Sequence, residues 1–130
     1  MKPKRYAVIG LGGRGTGMFV QPLAKNFQKT AELAAICDSN SVRLEYCNSN
    51  LPQPVPAYTD FGRMLREVKP DAVVVATRDC THEQFVLAGL AAGKRVYSEK
   101  PLCTTAAQCR TILAAAKRSR GECFVTHNLR

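Results

Sequence analysis

The chain lacks tryptophan, has only two histidines, and carries 10 acidic residues against 19 basic ones. It also lacks any apolar run of ~20 residues, which a membrane-spanning helix would require. No pair among its six cysteines has the C-x-x-C spacing of redox motifs and many zinc sites, so we expect reduced thiols used as small apolar residues. These absences argue against a membrane protein, a disulfide-stabilised secreted domain and a zinc module, and they favour a cytoplasmic protein.

The net charge of +9 raises the question of a polyanionic partner. Basic residues are scattered, however, and form tight groups only within residues 2–5 and 117–120. The second group falls where a helix is expected to end, and cations there stabilise the helix dipole. Without interleaved aromatic residues or a nucleic-acid motif, we expect neither nucleic-acid nor membrane binding.

What the sequence does contain is a regular alternation of short apolar segments and helical patterns within 130 residues, a length that suits one domain. The apolar segments predict six strands, at residues 6–9, 32–37, 57–59, 71–76, 95–97 and 123–126. Such a β-α alternation predicts an α/β fold, a doubly wound parallel sheet of the Rossmann type with strand order 3-2-1-4-5-6.

Between these strands, the patterns predict helices whose ends can be argued from single residues. Pro22 lies within the first helix and predicts a kink or restart near residues 19–22. Ser39 or Asn40 is expected to cap the second helix, and Asp60 the third. Further helices are expected over residues 81–92 and 104–120.

The first strand runs directly into a glycine-rich motif, Gly10-Leu11-Gly12-Gly13-Arg14-Gly15, which fits G-x-G-x-x-G. In this position, glycines allow a tight turn and let the backbone approach a pyrophosphate at a helix N-terminus. We therefore assign cofactor binding to Gly10, Gly12, Gly13, Arg14 and Gly15. The alternative is a purely structural turn between strand and helix.

Asp38 follows the second strand, where a carboxylate can accept hydrogen bonds from the adenosine ribose and would repel a 2′-phosphate. This placement favours NAD over NADP. Two alternatives stay open: Asp38 serves only to cap the next helix, or Arg43 accepts a 2′-phosphate and makes NADP the cofactor.

The most specific element is Glu99-Lys100-Pro101 at the end of the fifth strand. Together with the glycine turn, Asp38, Thr81-His82 and residues 128–130, it resembles the Gfo/Idh/MocA group of NAD(P)-dependent sugar and polyol oxidoreductases. The resemblance covers essentially the whole chain.

The resemblance implies that Lys100 faces substrate and nicotinamide as a catalytic or orienting residue, next to an often cis peptide bond. It implies that Glu99 positions the cofactor or tunes the lysine. The alternative is a strand-end turn with a surface ion pair.

After the fourth strand, the family's T-P-N followed by histidine is replaced here by Thr77-Arg78-Asp79-Cys80-Thr81-His82. The histidine matches, whereas the proline and asparagine do not. We assign cofactor contacts to Thr77 and His82, with helix capping or packing as the alternative for His82. A metal site at Cys80, His82 and His127 rests on one weak C-x-H spacing, and we predict none.

Members of this family continue into a second domain that holds the substrate. The resemblance therefore implies that residues 1–130 are the NAD(P)-binding part of a longer oxidoreductase acting on a carbohydrate-like substrate. We expect this part alone to bind cofactor weakly, to be inactive, and to expose apolar surface near residues 124–129. The full-length protein would form any oligomer through the second domain. Alternatives are an NAD-dependent glycoside hydrolase of the same family and a non-catalytic nucleotide-binding regulator.

Overall fold

The computed structural model describes residues 1–128, and Leu129 and Arg130 lie outside the described residues. Six parallel strands form one sheet in the order β3-β2-β1-β4-β5-β6, which confirms the predicted order. The strands are β1 (Lys4–Ile9), β2 (Ala31–Cys37), β3 (Ala57–Tyr58), β4 (Ala72–Val75), β5 (Arg95–Glu99) and β6 (Glu122–Thr126).

Helices lie on both faces of this sheet, which explains why its central strands are so apolar. All four residues of β4 are buried, as are the last three of β1. In the sheet register, Ile9 pairs with Cys37 of β2 and with Val75 of β4. Because these strands end side by side, the segments that follow them meet at one edge of the sheet.

The helices are α1 (Gln21–Lys25), α2 (Ser41–Ser49), α3 (Phe61–Val68), α4 (His82–Ala91) and α5 (Ala106–Arg118). Asn40 caps α2, since its Oδ1 accepts a hydrogen bond from Val42 N at 3.0 Å. Asp60 caps α3 in the same way through Arg63 N at 2.7 Å. The sequence predicted both capping residues, and both have extended backbone, as is usual for a helix N-cap.

The predicted irregularity around Pro22 is present. Gly15–Val20 forms a π-helical segment, and α1 begins directly after it with Pro22 in its first turn. The helical backbone runs without a break into α1, since Gln21 N donates to Thr16 O across the π-helical segment. The irregularity is therefore a change of helix type just before the proline and not a restart.

The two faces of the sheet are covered unequally. One face packs Ile9, Val73 and Val96 against residues of α3, α4 and α5. The other face packs Val8 and Ile36 against residues of the π-helical segment, α1 and α2. On that second face the rings of Tyr97 and Phe124 stack with their centroids 5.3 Å apart, and Phe124 remains 42% exposed.

The apolar exposure predicted near residues 124–129 is thus found at Phe124, while its last position, Leu129, is outside the described residues. None of the helices in residues 1–128 combines the length and the apolar character that crossing a bilayer demands.

Candidate functional site

A cleft of about 590 Å³ opens at the sheet edge where β1, β2 and β4 end. We call it the strand-end cleft. Residues from the segments after these strands line it, together with the first turns of α3 and α4: Ile9, Gly10, Gly12, Asp38, Ser39, Asn40, Arg43, Thr59, Phe61, Ala76, Thr77, Arg78, Thr81, Gln84 and Phe85. In doubly wound sheets, ligands bind at this edge.

The glycine turn enters the cleft with two positions that only glycine can occupy. Gly10 has φ +96°, and a Cβ there would overlap the Ala76 carbonyl and lie 2.7 Å from Thr77 N. A Cβ on Gly15 would overlap the carbonyl oxygen of Gly10. Gly10 and Gly15 therefore let the turn close on itself and on the end of β4.

Gly12 and Gly13 differ, because the fold does not require them to be glycine. A Cβ on Gly12 would find only Arg43 Nη1, at 3.9 Å, and one on Gly13 would find nothing within 4 Å among the described residues. Their bare backbone forms an open surface beside the cleft. This is the shape that a pyrophosphate needs to approach backbone N–H groups closely, so the residues present fit a dinucleotide.

Asp38 lies at the other side of the turn with only 9% of its surface exposed. Its Oδ2 accepts a hydrogen bond from Leu11 N at 2.8 Å, and its Oδ1 accepts one from Asn40 N at 2.9 Å. Asn40 provides the cap of α2, so the capping alternative for Asp38 is wrong. A carboxylate has about four acceptor positions, so two remain for ribose hydroxyls.

Cys37 lies directly before Asp38 and is 1% exposed. Burial raises the pKa of its thiol to about 12, and the nearby Asp38 and Asp60 carboxylates add to the shift. Because the thiol stays neutral at physiological pH, Cys37 acts as a small buried residue beneath the turn, in line with the expectation for the cysteines.

At the end of β5, Glu99 is 5% exposed and joins three segments of the chain. Its Oε2 lies 3.3 Å from Arg14 Nε, and its Oε1 accepts a hydrogen bond from Thr126 Oγ1 at 2.9 Å. Arg14 is therefore directed towards Glu99 and is not among the residues that line the strand-end cleft. Cofactor binding through Arg14 remains a prediction, whereas its contact with Glu99 is a feature of the fold.

Lys100 follows Glu99 and is exposed, and its peptide bond to Pro101 is cis, as the family resemblance implies. Within residues 1–128 Lys100 forms no salt bridge. The ion pair at this turn is made by the buried Glu99 instead. The role of Lys100 towards substrate and nicotinamide stays a prediction, and so does the alternative of a strand-end turn with a surface ion pair.

His82 begins α4 and is completely buried. Its Nδ1 lies 2.6 Å from the carbonyl oxygen of Pro101, and its Nε2 lies 3.0 Å from that of Thr77. Both ring nitrogens therefore face the backbone, and neither faces the strand-end cleft. In residues 1–128 no group of three or more histidine, cysteine, aspartate or glutamate side chains could hold a metal ion.

Sequence reasoning missed the aromatic floor of the strand-end cleft. Phe61 and Phe85 pack edge to face with ring centroids 5.3 Å apart, and Thr59 and Gln84 line the same cleft. Thr59 and Phe61 follow β3, so the rule that ligands gather at strand ends could have found them. Gln84 and Phe85 lie in the first turn of α4. Only their positions around the helix that follows β4 would have indicated that they line the cleft.

Residues 4–127 match the Gfo/Idh/MocA family, described as an oxidoreductase family with an NAD-binding Rossmann fold. An inositol 2-dehydrogenase from Paracoccus denitrificans is 34% identical over 110 residues, which are 82% of this chain and 33% of that protein.

Among solved structures, the WlbA dehydrogenase of Bordetella pertussis, in complex with NADH and UDP-GlcNAcA, superposes with a TM-score of 0.86. It shows 24% identity over 96% of this chain and 37% of its own. A scyllo-inositol dehydrogenase of Lactobacillus casei, with NAD(H) and scyllo-inositol, gives a TM-score of 0.82 at 24% identity, over 95% of this chain and 36% of its own. These two show the shared fold. The chain spans about a third of the length of the relatives it matches.

Proposed function

Because the chain belongs to the Gfo/Idh/MocA family of oxidoreductases with an NAD-binding Rossmann fold, we propose that it is the cofactor-binding part of an NAD-dependent dehydrogenase. The observation that carries this proposal is the open backbone of Gly12 and Gly13 next to the buried carboxylate of Asp38. The first suits a pyrophosphate and the second a ribose diol, and the two groups are neighbours in a dinucleotide.

In this proposal, two parts of the strand-end cleft bind two different groups of the cofactor. Backbone N–H groups of the glycine turn hold the pyrophosphate, and Asp38 accepts hydrogen bonds from the adenosine ribose. Leu11 N and Asn40 N already fix the Asp38 carboxylate, so it would meet a 2′-phosphate as a preoriented negative charge. NAD is therefore preferred, whereas Arg43, which lies in the cleft lining close to Gly12, is the residue that would accept a 2′-phosphate if NADP were the cofactor.

Lys100, which follows β5 and does not line the strand-end cleft, is the residue proposed to act on the substrate. NAD, when bound, supplies the ring that accepts the hydride. The exposed ammonium of Lys100 donates a hydrogen bond to the reacting hydroxyl oxygen, which stabilises negative charge as it develops there. Glu99 is engaged by Arg14 and Thr126, so its role is to hold the end of β5 from which Lys100 projects.

The proposed substrate is a polyhydroxylated molecule of the sugar or polyol class, by analogy with an inositol 2-dehydrogenase and with a structure that holds UDP-GlcNAcA. The chain spans a third of these relatives, so residues that bind substrate and carry its proton are assigned to a second domain. A reducing cytoplasm is the proposed location, since all six cysteines are free thiols.

The cofactor assignment is tested by calorimetric titration of the chain with NAD and with NADP. We expect saturable binding with a preference for NAD, and an Asp38→Asn variant in which the ratio of NADP to NAD affinity rises at least about tenfold. The ratio is the decisive quantity, because a general loss of folding lowers both affinities together. A folded chain that binds neither nucleotide, or binds NADP better than NAD, contradicts the proposal.

The reaction class is tested on the longer polypeptide that the proposal requires. Addition of inositol or a related polyol with NAD should produce NADH, followed by its absorbance, and Lys100→Met should lower kcat at least about a hundredfold. Release of an aglycone from a glycoside without accumulated NADH would instead identify the glycoside hydrolase alternative.

A further inference from the structure

His82 lies between two backbone carbonyl groups that belong to different loops. Nδ1 of the ring lies 2.6 Å from Pro101 O in the turn after β5, and Nε2 lies 3.0 Å from Thr77 O in the segment after β4. The ring is completely buried, so water is not available to complete either hydrogen bond.

Carbonyl oxygens accept hydrogen bonds and cannot donate them, which fixes what the ring must supply. A neutral imidazole has one N–H donor and one acceptor nitrogen, so it can satisfy only one of the two carbonyls. The other nitrogen would then place a lone pair against an oxygen lone pair in a buried site. The ring nevertheless contacts both loops at once, whichever nitrogen carries the proton.

The two bridged loops are those that carry the proposed chemistry. Thr77 packs on the glycine turn, since a Cβ on Gly10 would lie 2.7 Å from Thr77 N. Pro101 directly follows Lys100. A continuous path of contacts therefore runs from Gly10 through Thr77 and His82 to the turn that carries Lys100.

We propose that His82 is a positioning residue whose buried ring, in contact with both Pro101 O and Thr77 O, fixes the turn that carries Lys100 (the Lys100 turn) relative to the glycine turn. His82 is thus assigned to the geometry of the site without contact to cofactor or substrate. The value of this link for hydride transfer rests on the proposed function, whereas the link itself is tested without any cofactor. The two proposals can therefore fail separately.

Side-chain hydrogen bonds on the Thr77 side support a fixed loop. Thr81 Oγ1 lies 2.8 Å from Thr77 Oγ1 and 2.7 Å from Arg78 O, so the segment between β4 and α4 is closed on itself. No comparable hydrogen bond to Pro101 is present in residues 1–128 apart from that of His82. Loss of the ring should therefore release the Lys100 turn more than the Thr77 segment.

The fixed placement of the ring is tested by long-range ¹H–¹⁵N NMR of the whole chain near neutral pH. The chain has only two histidines, so an exposed-residue variant, His127→Gln, assigns the spectrum by removing the other ring. We expect the two His82 nitrogens to give separate signals of one fixed N–H pattern, because the ring is held between two carbonyl groups. Averaged signals, as expected for an exposed imidazole such as His127, would overturn the proposal.

The bridge is tested by His82→Phe, which keeps a ring but removes both ring nitrogens. The amides of Arg78 and Leu102 report on it, because each amide shares its peptide group with one of the two acceptor carbonyls. We expect both resonances to move strongly in His82→Phe and neither to move in His127→Gln. An unchanged Leu102 amide in a folded variant would overturn the proposal, and if the variant does not fold, the ring spectrum of the unaltered chain decides.

Discussion

The glycine turn after β1 and the Lys100 turn after β5 lie at the same edge of the sheet but are built in opposite ways. The first is shaped by missing side chains, since Gly10 and Gly15 pack backbone directly on backbone. The second is held by buried polar side chains, with Glu99 bonded to Thr126 and His82 bonded to Pro101. The glycine turn offers a surface to bind, whereas the Lys100 turn offers an oriented charge.

The largest effect is expected at Gly15, where a side chain would disrupt the backbone packing of the glycine turn most directly. A valine there would overlap the carbonyl of Gly10, so Gly15→Val should lower the free energy of unfolding by at least ~3 kcal/mol or prevent folding. Gly17→Ala is the matched control, since a Cβ there meets nothing within 4 Å in the described part of the chain. Denaturant unfolding measures both, and equal stability of the two variants would contradict the backbone-packing account.

An intermediate effect is expected at Asp38, where one carboxylate serves two backbone donors. Asp38→Ala leaves the buried Leu11 N–H without an acceptor and should cost about 1–3 kcal/mol without cofactor. Asp38→Asn keeps one acceptor oxygen and should cost less. If thermal unfolding shows the alanine variant to be as stable as the original, Asp38 does not hold the glycine turn.

A smaller effect is expected from the ion pair of the Lys100 turn. Glu99 is buried but the Arg14 side chain is 37% exposed, so solvent screens the attraction. A double-mutant cycle with Arg14→Gln and Glu99→Gln should give a coupling energy of about 1 kcal/mol. A coupling near zero would mean that Thr126 alone anchors Glu99.

The same contrast explains what could be predicted from the sequence. The strand order and the glycine turn were predicted correctly because β-α alternation and G-x-G-x-x-G are local patterns, readable within a few residues. The contacts of the Lys100 turn join residues 19 and 27 positions apart in sequence, as for His82 with Pro101 and Thr126 with Glu99. Local patterns do not specify such pairs.

Arg14 illustrates the limit most clearly. Its place inside the glycine motif predicted a contact with the cofactor, which stays a prediction, but the motif did not indicate that its guanidinium lies beside Glu99. The acceptor comes from β5, which lies beyond β4 from the strand that carries the motif. Only the assembled sheet shows this pairing, and the same holds for the burial of His82 between two loops.

The most direct test of the account is the NAD affinity of Gly12→Val beside that of the unaltered chain, measured by calorimetry on samples shown to be folded. Unlike Gly15, Gly12 has room for a side chain, so the variant should keep its stability within ~1 kcal/mol. Its side chain would cover the backbone proposed to hold the pyrophosphate, and NAD binding should fall at least about a hundredfold. A folded Gly12→Val chain that binds NAD as well as the original would contradict the central claim that this open turn is the dinucleotide site.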